Sequence, residues 1–227
     1  MFCLKHFAII YGYFYMKSAL IPVFPLPIVV FPDENTNLHI FEPRYKQLIN
    51  EAHANGTTFG IPTFIEKQDL SFGTEVLVKE IAKIYPDGKL DVKIQGKRIF
   101  KLTNFIPRMN GRLYSGADIL FVKNERKGSI SKNERIIELL KDLYLYLKMH
   151  KPLPKSALDF DSYRIGHYIG LSLKEELILL SINNEESRQD FIITHLERIL
   201  PVLKEMNALE KKIQMNGHFR NIIPPNL

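Results

Sequence analysis

Two pairs of neighbouring acidic residues are the side chains of this sequence best suited to general acid and base chemistry. Asp159 lies two residues before Asp161, and Glu185 is followed directly by Glu186. Such catalysis requires two carboxyl groups in one cleft, with pKa values set apart by their environments. Both pairs fall at predicted helix starts, where the helix dipole favours negative charge. We therefore interpret both pairs as structural and predict no catalytic residue.

Metal binding is the second chemistry that the residue types allow. The chain has seven histidines, and no two of them are four residues apart, the spacing that places two imidazoles on one helix face. We predict that His39 lies on the outer face of a strand and that His167 and His195 lie on helix surfaces. Cys3 is the single cysteine, which excludes an internal disulfide and a cysteine-based zinc site and indicates a reducing cytoplasm. No metal and no cofactor is expected.

The sequence lacks the motifs that identify most nucleotide-hydrolysing and peptide-cleaving enzymes. There is no P-loop, because neither "DGKL" nor "QGKR" has the earlier glycine or the following Ser or Thr that the motif requires. No G-x-S-x-G, H-E-x-x-H or glycine-rich dinucleotide loop occurs. We predict that the chain is not an enzyme. A hydrolase with an unrecognised site is an alternative that no residue favours.

A basic segment could bind an anionic partner. It contains Lys93, Lys97, Arg98 and Lys101, which either line a groove for phosphate or acidic peptide or form the solvated face of a strand, the simpler interpretation. The formal net charge is +6, and it is evenly spread: 14 cations against 11 anions in the first 120 residues, and 17 against 14 in the rest. Nucleic acid, which favours a concentrated basic surface, is therefore the less favoured partner.

The stretch "IFEPRY", residues 40–45, combines aromatic, aliphatic and charged side chains, yet a strand-to-helix corner explains most of it. Ile40 and Phe41 are expected to bury in the sheet. Glu42 suits a helix N-terminus, and Pro43 is tolerated at the first helical position. Arg44 is the residue that this explanation leaves free.

A helix is predicted to follow this corner. Its apolar residues recur at the spacing of one helix face, and Asn55-Gly56 supplies a left-handed stop. The residues of this face are Tyr45, Leu48, Ile49 and Ala52. Tyr45 is therefore expected to pack inward.

The rest of the first half is rich in short strands. "TEVLVKEIAKIY" and "KLDVKIQGKRIFKL" alternate apolar with polar residues and flank Pro86-Asp87-Gly88, which together predict a hairpin. Gly96 interrupts the second strand and suggests a bulge or bend. Prolines break the segments around residues 22–32, which places them at edges or strand ends. These features predict a small, curved, partly closed β-barrel.

The second half is helical. Capping boxes are predicted at Ser131 with Glu134 and at Ser172 with Glu175. A long helix is predicted to be capped near Asn183/Asn184 and to be kinked or split by its internal Pro201. The aromatic side chains here either line a cleft or pack in the core. They are Tyr144, Tyr146, Phe160, Tyr163 and Tyr168.

These patterns give an α+β chain of four segments. Residues 1–19 form an N-terminal extension, with Met16 as an alternative start. Residues 20–124 form the β-barrel lobe, residues 125–217 the α-helical lobe and residues 218–227 a flexible tail. No apolar run approaches the roughly 18–20 residues that a membrane-spanning helix needs, so no membrane association is expected. The sequence sets no oligomeric state.

At this point the sequence resembles a known family. "IPVFPLPIVVFPDENTNLHIFEPRYKQLINEA", then Phe59-Gly60, Pro86-Asp87-Gly88 and Gly96 with Arg98, look like the N-terminal substrate-binding domain of Lon proteases. The order and spacing agree over about residues 20–122, and the stand-alone bacterial version of the domain is the most similar. "ELILLSINNEESRQDFIITHLERIL" is similar to the second lobe of the family.

The resemblance implies a PUA-like pseudo-barrel followed by an α-helical bundle. It implies a non-catalytic module, without the ATPase and Ser-Lys protease modules, that binds unfolded or degron-bearing polypeptides and works with a protease. The candidate binding residues are Phe41, Glu42, Arg44, Tyr45, Phe59 and Arg98. The aromatic residues of this set are alternatively core residues.

PUA-like barrels also suggest RNA as a second hypothesis. The basic 93–112 region would then form one continuous surface, and affinity would fall steeply with salt. The even charge distribution ranks this hypothesis behind polypeptide binding.

Overall fold

The computed structural model describes residues 15–65 and 71–217. Most of the predicted N-terminal extension, and all of the predicted tail at 218–227, lie outside the described residues. The chain divides into two compact units. Of the described residues, the sheet unit contains 15–65, 71–125 and Tyr163–Asn183, and the helical unit contains Arg126–Ser162 and 184–217. The segment Tyr163–Asn183 thus belongs to the sheet unit, although it lies in the second half of the sequence.

Six strands and four α-helices form the described chain. The strands are β1 (Tyr15–Val23), β2 (Asn35–Ile40), β3 (Thr58–Pro62), β4 (Phe72–Ile84), β5 (Leu90–Ile106) and β6 (Ser115–Val122). The α-helices are α1 (Pro43–Asn55), α2 (Ile130–Tyr146), α3 (Leu173–Ser181) and α4 (Glu185–Gly217), and a 3₁₀ helix spans Ser162–Tyr168. A six-stranded sheet followed by helices confirms the predicted α+β class.

The sheet closes on itself. Its strand order is β2-β5-β4-β3-β1-β6, and β6 also pairs with the second part of β5. Five strands therefore form a ring, in which β1 and β3 run parallel and the other neighbours run antiparallel. β2 stands outside the ring and pairs with the first part of β5. Among the described strands β2 has this one partner only, so its other edge is unpaired.

Helix α1 and the hairpin form where the sequence predicts them. The inward face of α1 buries the four predicted residues, and Gly56 ends the helix at φ +62°. The hairpin joins β4 to β5 through Pro86-Asp87-Gly88, where Tyr85 donates its N–H to the carbonyl of Lys89 at 2.9 Å. The pairing of β4 with β5 shifts by one residue beside Gly96, which confirms the predicted irregularity.

The 3₁₀ helix and α3 complete the sheet unit through the segment between β1 and β2. Phe31, 1% exposed, stacks on Tyr163 with ring centroids 5.2 Å apart. His167 lies between two carboxylates: Nε2 is 3.1 Å from Glu34 and Nδ1 is 2.8 Å from Glu176. His167 is therefore an exposed residue of the 3₁₀ helix, as predicted, and its side chain is held in a charged bridge. Burial lowers its pKa, but the hydrogen bonds to Glu176 and Glu34 outweigh burial and raise it to about 9.

We expect the stability supplied by His167 to disappear at alkaline pH. Its folded-state pKa of about 9 exceeds the ordinary value of 6.5, so its contribution is complete below pH 6.5 and is lost as the pH rises through 9. The loss is about 1 kcal/mol, well below the roughly 3.4 kcal/mol of the full shift, because solvent screens the ion pairs of an exposed side chain. Urea unfolding of the wild type and of His167→Gln at several pH values measures this difference.

The matched control for this prediction is His39→Gln, because His39 also pairs with a carboxylate but on an exposed strand. The gap in free energy of unfolding between wild type and His167→Gln is expected to narrow between pH 6.5 and pH 9.5. The loss of the exposed ion pair in His39→Gln is expected to cost less than about 0.5 kcal/mol. If the difference in free energy of unfolding between wild type and His167→Gln did not change with pH, the predicted contribution of the bridge would be contradicted.

The helical unit packs α2 against α4. The buried residues of the two helices recur at helical spacing. They include Ile136, Leu140 and Leu143 of α2 and Ile192, Leu196 and Leu200 of α4. His195 is also buried, at 5% exposure, so the prediction that it lies on a helix surface is wrong, because it falls on the inward face next to Leu196.

Three helix-end predictions have different outcomes. The capping box at Ser172 with Glu175 is confirmed, and Asn184 caps α4 by accepting the Ser187 N–H at 2.9 Å. The prediction of a capping box at Ser131 is wrong, because the N-cap of α2 is Ser129. The Ser129 N–H donates to Gln189 Oε1 at 3.0 Å.

Pro201 does not split the long helix. Helix α4 continues through it as one element of 33 residues. Packing on both sides of the proline explains this, since Leu200 is buried before it and Asn207 donates to the carbonyl of Tyr146 after it, at 3.1 Å. One missing backbone hydrogen bond is small beside that packing.

Candidate functional site

An exposed apolar surface lies where β2 ends and the β4–β5 hairpin turns. The register places His39 beside Asp91, Ile40 beside Leu90, and Leu90 beside Ile84. The end of β2 and the hairpin turn are therefore neighbours. We call this surface the tip surface and define it by the side chains of His39, Phe41, Lys83, Ile84 and Tyr85.

Phe41 is the central aromatic residue of the tip surface. It is 59% exposed, whereas Ile40 before it is 1% exposed. Alternate residues of a strand point to opposite faces, so the burial of Ile40 in the core turns Phe41 outward. The prediction that Phe41 buries in the sheet is therefore wrong. Ile84, at 69% exposure, is a second exposed large apolar side chain at this end of the sheet, and the register places it in the cross-strand row of Leu90 and Ile40.

Asp91 holds the polar rings of the tip surface in place. It accepts hydrogen bonds from His39 Nδ1 and from the Tyr85 hydroxyl, each at 2.7 Å. The hydrogen bonds from His39 and then Tyr85 lower the pKa of Asp91, and the bond to Asp91 raises the pKa of Tyr85. The His39 and Tyr85 rings meet edge to face, with centroids 5.7 Å apart. The Nζ of Lys83 lies 4.3 Å from the Tyr85 ring centroid.

The start of α1 borders this surface and contains two more predicted residues. Arg44 Nε donates to Glu42 Oε2 at 2.8 Å, and its guanidinium lies 4.5 Å from the centroid of the Tyr45 ring. Arg44 is thus exposed but not free, which corrects the sequence interpretation. Lys46 Nζ reaches the carbonyl of Asp87 in the hairpin turn at 3.4 Å, so the helix start and the turn lie side by side.

Two of the predicted binding aromatics lie in the core. Tyr45 is 5% exposed and stacks on Phe24 with ring centroids 3.6 Å apart, and Phe59 is fully buried. Both were predicted as binding residues with core packing as the alternative, and the structure places both in the core. Neither presents a surface to a partner in this conformation.

Arg98, the last predicted residue, forms an ion pair away from the tip surface. Its Nε and a second guanidinium nitrogen donate to Glu75 at 2.6 and 2.9 Å, and Thr58 Oγ1 donates to the same carboxylate at 2.7 Å. Burial raises the pKa of Glu75, but the hydrogen bonds from Arg98 and Thr58 outweigh it and lower that pKa. The Arg98 guanidinium also lies 3.7 Å from the ring centroid of Phe121.

Acidic or amide side chains accompany several other cations of the basic region. Lys93 pairs with Glu80 at 2.8 Å, and Arg112 pairs with Glu51 at 3.1 Å. Lys97 donates to the Gln95 side chain at 2.7 Å. Because its neighbouring carboxylates offset much of the positive charge, this region is a weak match for the continuous basic surface that nucleic acid requires.

The sequence missed four residues of the tip surface. They are His39, Lys83, Ile84 and Tyr85. The strand alternation gave a signal for His39, because it opposes Ile40 on the strand, and the position of Ile84 and Tyr85 directly before the Pro-Asp-Gly turn was a signal for exposure. What could not be deduced is that the end of β2 lies beside this turn.

Residues 15–65 and 71–217 contain neither of two further features, a metal site or a membrane-spanning helix. No group of three or more His, Cys, Asp or Glu residues is arranged there to hold a metal ion. The same part of the chain contains no helix that is long and apolar enough to cross a membrane. One member of each acidic pair forms an ion pair with an arginine: Asp161 with Arg126, and Glu185 with Arg188.

A solved structure with a similar fold agrees with this architecture. A crystal structure of a Lon N-terminal domain protein from Xanthomonas campestris is 21% identical, with a TM-score of 0.61 over 78% of this chain and 98% of that chain. The N-terminal domain of Lon protease from the Mycobacterium avium complex is 13% identical, with a TM-score of 0.47 over 84% of this chain and 98% of that chain. Comparison with curated protein sequences gave no match.

The sequence model of one family covers most of the described chain. It is the substrate-binding domain of ATP-dependent protease La (Lon), and the match extends over residues 20–198. This range includes all six predicted binding residues, the whole tip surface and parts of both units. The chain therefore belongs to the family of Lon substrate-binding domains.

Proposed function

We propose that this chain binds segments of unfolded or degron-bearing polypeptide through its tip surface and that it has no catalytic step of its own. The observation that carries the proposal is the 59% exposure of Phe41 at one end of the sheet, where the centroid of its ring lies 6.4 Å from that of His39. Exposed aromatic side chains that lie together typically mark an interaction site. The family description, a substrate-binding domain of a protease, supports polypeptide as the partner.

The unpaired edge of β2 suggests how an extended polypeptide would bind. A segment laid along this edge can form main-chain hydrogen bonds of any sequence, while alternate side chains contact neighbouring pockets or rings. Phe41 directly follows the edge strand, so an apolar side chain of the bound segment would meet its ring. Main-chain recognition with one apolar contact fits a partner that is defined by being unfolded rather than by one sequence.

The charges beside the tip surface add a preference. Lys83 and Arg44 are exposed there, and Glu42 and Asp87 lie next to them. This mixture favours no strongly charged segment, and it matches apolar stretches flanked by either sign of charge. We therefore propose micromolar affinity for short apolar segments of unfolded chains, as is usual for small apolar contacts.

Charge substitution at the tip surface tests the proposal. We expect Phe41→Asp and Ile84→Asp each to weaken binding of a labelled, permanently unfolded model protein about tenfold, because each removes an apolar contact and adds a charge that must be desolvated. Fluorescence anisotropy measures the dissociation constants. Both side chains are exposed, so circular dichroism and thermal unfolding are expected to match the wild type.

Leu158→Asp is the matched control, because Leu158 is 76% exposed but lies in the helical unit. Its affinity is expected to equal that of the wild type. Equal losses for Leu158→Asp and Phe41→Asp would indicate non-specific hydrophobic adsorption. The absence of binding by the wild type up to about 200 µM would reject polypeptide binding at this surface, whose expected affinity is micromolar.

If the chain only binds polypeptide, another protein must cut what it binds. The sequence lacks a P-loop, so we propose that any cutting of the bound polypeptide is done by a separate protease in the cytoplasm, the compartment that the single cysteine favours. Phosphate release from ATP, or fragments of the model protein after incubation with purified chain, would contradict this.

RNA binding through the basic 93–112 region is the second candidate, and no specific observation favours it. Glu75, Glu80 and Glu51 each pair with a cation of that region. A gel shift whose affinity falls steeply between low and moderate salt would support RNA binding, and a shift that is absent would reject it.

A further inference from the structure

The second half of α4 carries an exposed apolar stripe that the proposed function does not use. Val202, Met206, Leu209 and Ile213 are between 55% and 62% exposed. Their spacing of four, three and four residues places them along one face of the helix, as in the seam of a coiled coil. Four large apolar side chains in one continuous line on a helix are an unusual surface to leave in water.

The stripe is separate from the face that α4 packs on α2. The residues of this part of α4 that are partly covered are Leu203 and Asn207, and Asn207 donates to the carbonyl of Tyr146, the last residue of α2. Lys148, just beyond α2, pairs with Glu210 at 3.6 Å. These contacts lie on a different side of the helix from Met206 and Leu209, so packing among the described residues of the helical unit does not explain the stripe.

The spacing of the four stripe residues, four, three and four, is the same when the helix is read in either direction. An antiparallel second copy, related by a two-fold axis that passes between Asn207 and Ala208, would place Val202 opposite the partner's Ile213. It would also place Met206 opposite the partner's Leu209. Every exposed apolar residue of the stripe then meets another one, and the same surface serves both copies, as a two-fold interface requires.

The charges beside the stripe favour the same arrangement. Glu205 and Lys212 are exposed residues that flank the seam in equivalent heptad positions. Such positions face each other in an antiparallel pair, so Glu205 would lie beside the partner's Lys212, twice per dimer. In a parallel pair Glu205 would lie beside the partner's Glu210, where two like charges repel.

We propose that the chain self-associates through the second half of α4 as an antiparallel, two-fold dimer. The seam is short, three helical turns, and buries less than the roughly 1,200 Å² typical of the smallest stable interfaces. The dimer is therefore weak, with a dissociation constant on the order of tens of micromolar. It does not involve the tip surface, so it stands or falls independently of polypeptide binding.

Analytical ultracentrifugation of the full chain between about 1 µM and about 500 µM tests the dimer, a range that brackets the expected dissociation constant. A monomer–dimer equilibrium is expected, and Leu209→Glu is expected to abolish it, because it places a charge in the centre of the seam. A chain that stays monomeric at every concentration would overturn the proposal. A dimer that Leu209→Glu leaves unchanged would overturn the location.

Charge exchange tests the direction of the helices. Glu205→Lys and Lys212→Glu are each expected to weaken the dimer about three- to tenfold, and the double variant Glu205→Lys/Lys212→Glu is expected to restore it, because each pair is again of opposite charge. Lys211→Glu, the control, changes the same charge on the outer face and is expected to have no effect. A tighter dimer for Glu205→Lys would overturn the antiparallel arrangement, since only a parallel pair gains from that change.

Discussion

Replacing Arg188 by methionine is expected to lower the free energy of unfolding by about 3–5 kcal/mol, the usual cost of leaving a buried charge without its partner. Arg188 is fully buried in the helical unit, and its Nε donates to Glu185 Oε2 at 2.8 Å. Glu185, 2% exposed, would stay in the interior with its charge uncompensated. Urea unfolding monitored by circular dichroism measures the change.

A second substitution separates the loss of a charge from the loss of packing. The other carboxylate oxygen of Glu185 accepts the Ser162 N–H at 2.9 Å and the Ser162 hydroxyl at 2.7 Å. Glu185→Gln keeps an acceptor for Ser162 while removing the charge. Glu185→Gln/Arg188→Met is therefore expected to recover about 2 kcal/mol relative to Arg188→Met, because no unpaired charge remains.

The control pair is on the surface. Arg44→Met breaks the exposed ion pair with Glu42 and is expected to change the free energy of unfolding by less than about 0.5 kcal/mol. A loss of free energy of unfolding for Arg188→Met as small as that for Arg44→Met would contradict this prediction. Glu185 would then have found water or another donor in place of the Arg188 side chain.

Gly96→Ala is the second large effect, with an expected loss of about 3–5 kcal/mol from overpacking and lost hydrogen bonds. A Cβ at position 96 would lie 2.1 Å from the carbonyl oxygen of Phe31. The backbone there cannot move away freely, because Gly96 accepts from the Asp33 N–H at 3.0 Å and donates to the Glu34 carbonyl at 2.9 Å. The added methyl must separate these two chain segments and break both bonds.

Gly111→Asn is the matched control for this prediction. Gly111 has φ +68° and no atom within 4 Å of the position of an added Cβ, and asparagine tolerates this left-handed conformation. The expected cost is below about 1 kcal/mol. A loss for Gly96→Ala as small as that for Gly111→Asn would mean that the segment around Phe31 yields readily, and the bridge of His167 to Glu34 would then be loosely held as well.

Local signals in the sequence predicted several elements correctly. The inward face of α1 was readable because Tyr45, Leu48 and Ile49 recur at helical spacing, and all three are buried. The β4–β5 hairpin was readable because alternation and the Pro-Asp-Gly turn agree. The capping box was predictable because Ser172 and Glu175 are three residues apart. Each of these depends on contacts between residues that are close in sequence.

The predicted binding residues show where such signals end. Phe41, Tyr45 and Phe59 have similar chemistry, but one is 59% exposed and the other two are buried. Their environments depend on what packs against each strand or helix from a distant part of the chain. Arg98 has its partner Glu75 on the neighbouring strand, a contact set by sheet register rather than by sequence spacing.

The sequence by itself determined the α+β class, the hairpin and the inward face of α1, because these follow from periodicity and turn chemistry within short segments. It indicated the family through the resemblance of its motifs. The tertiary structure alone decided that the end of β2 lies beside the hairpin turn, that His167 bridges Glu34 and Glu176, and that Tyr163–Asn183 joins the sheet unit. These contacts link residues up to 133 positions apart. Long-range packing, which selects among many locally equivalent arrangements, has no local signature to read.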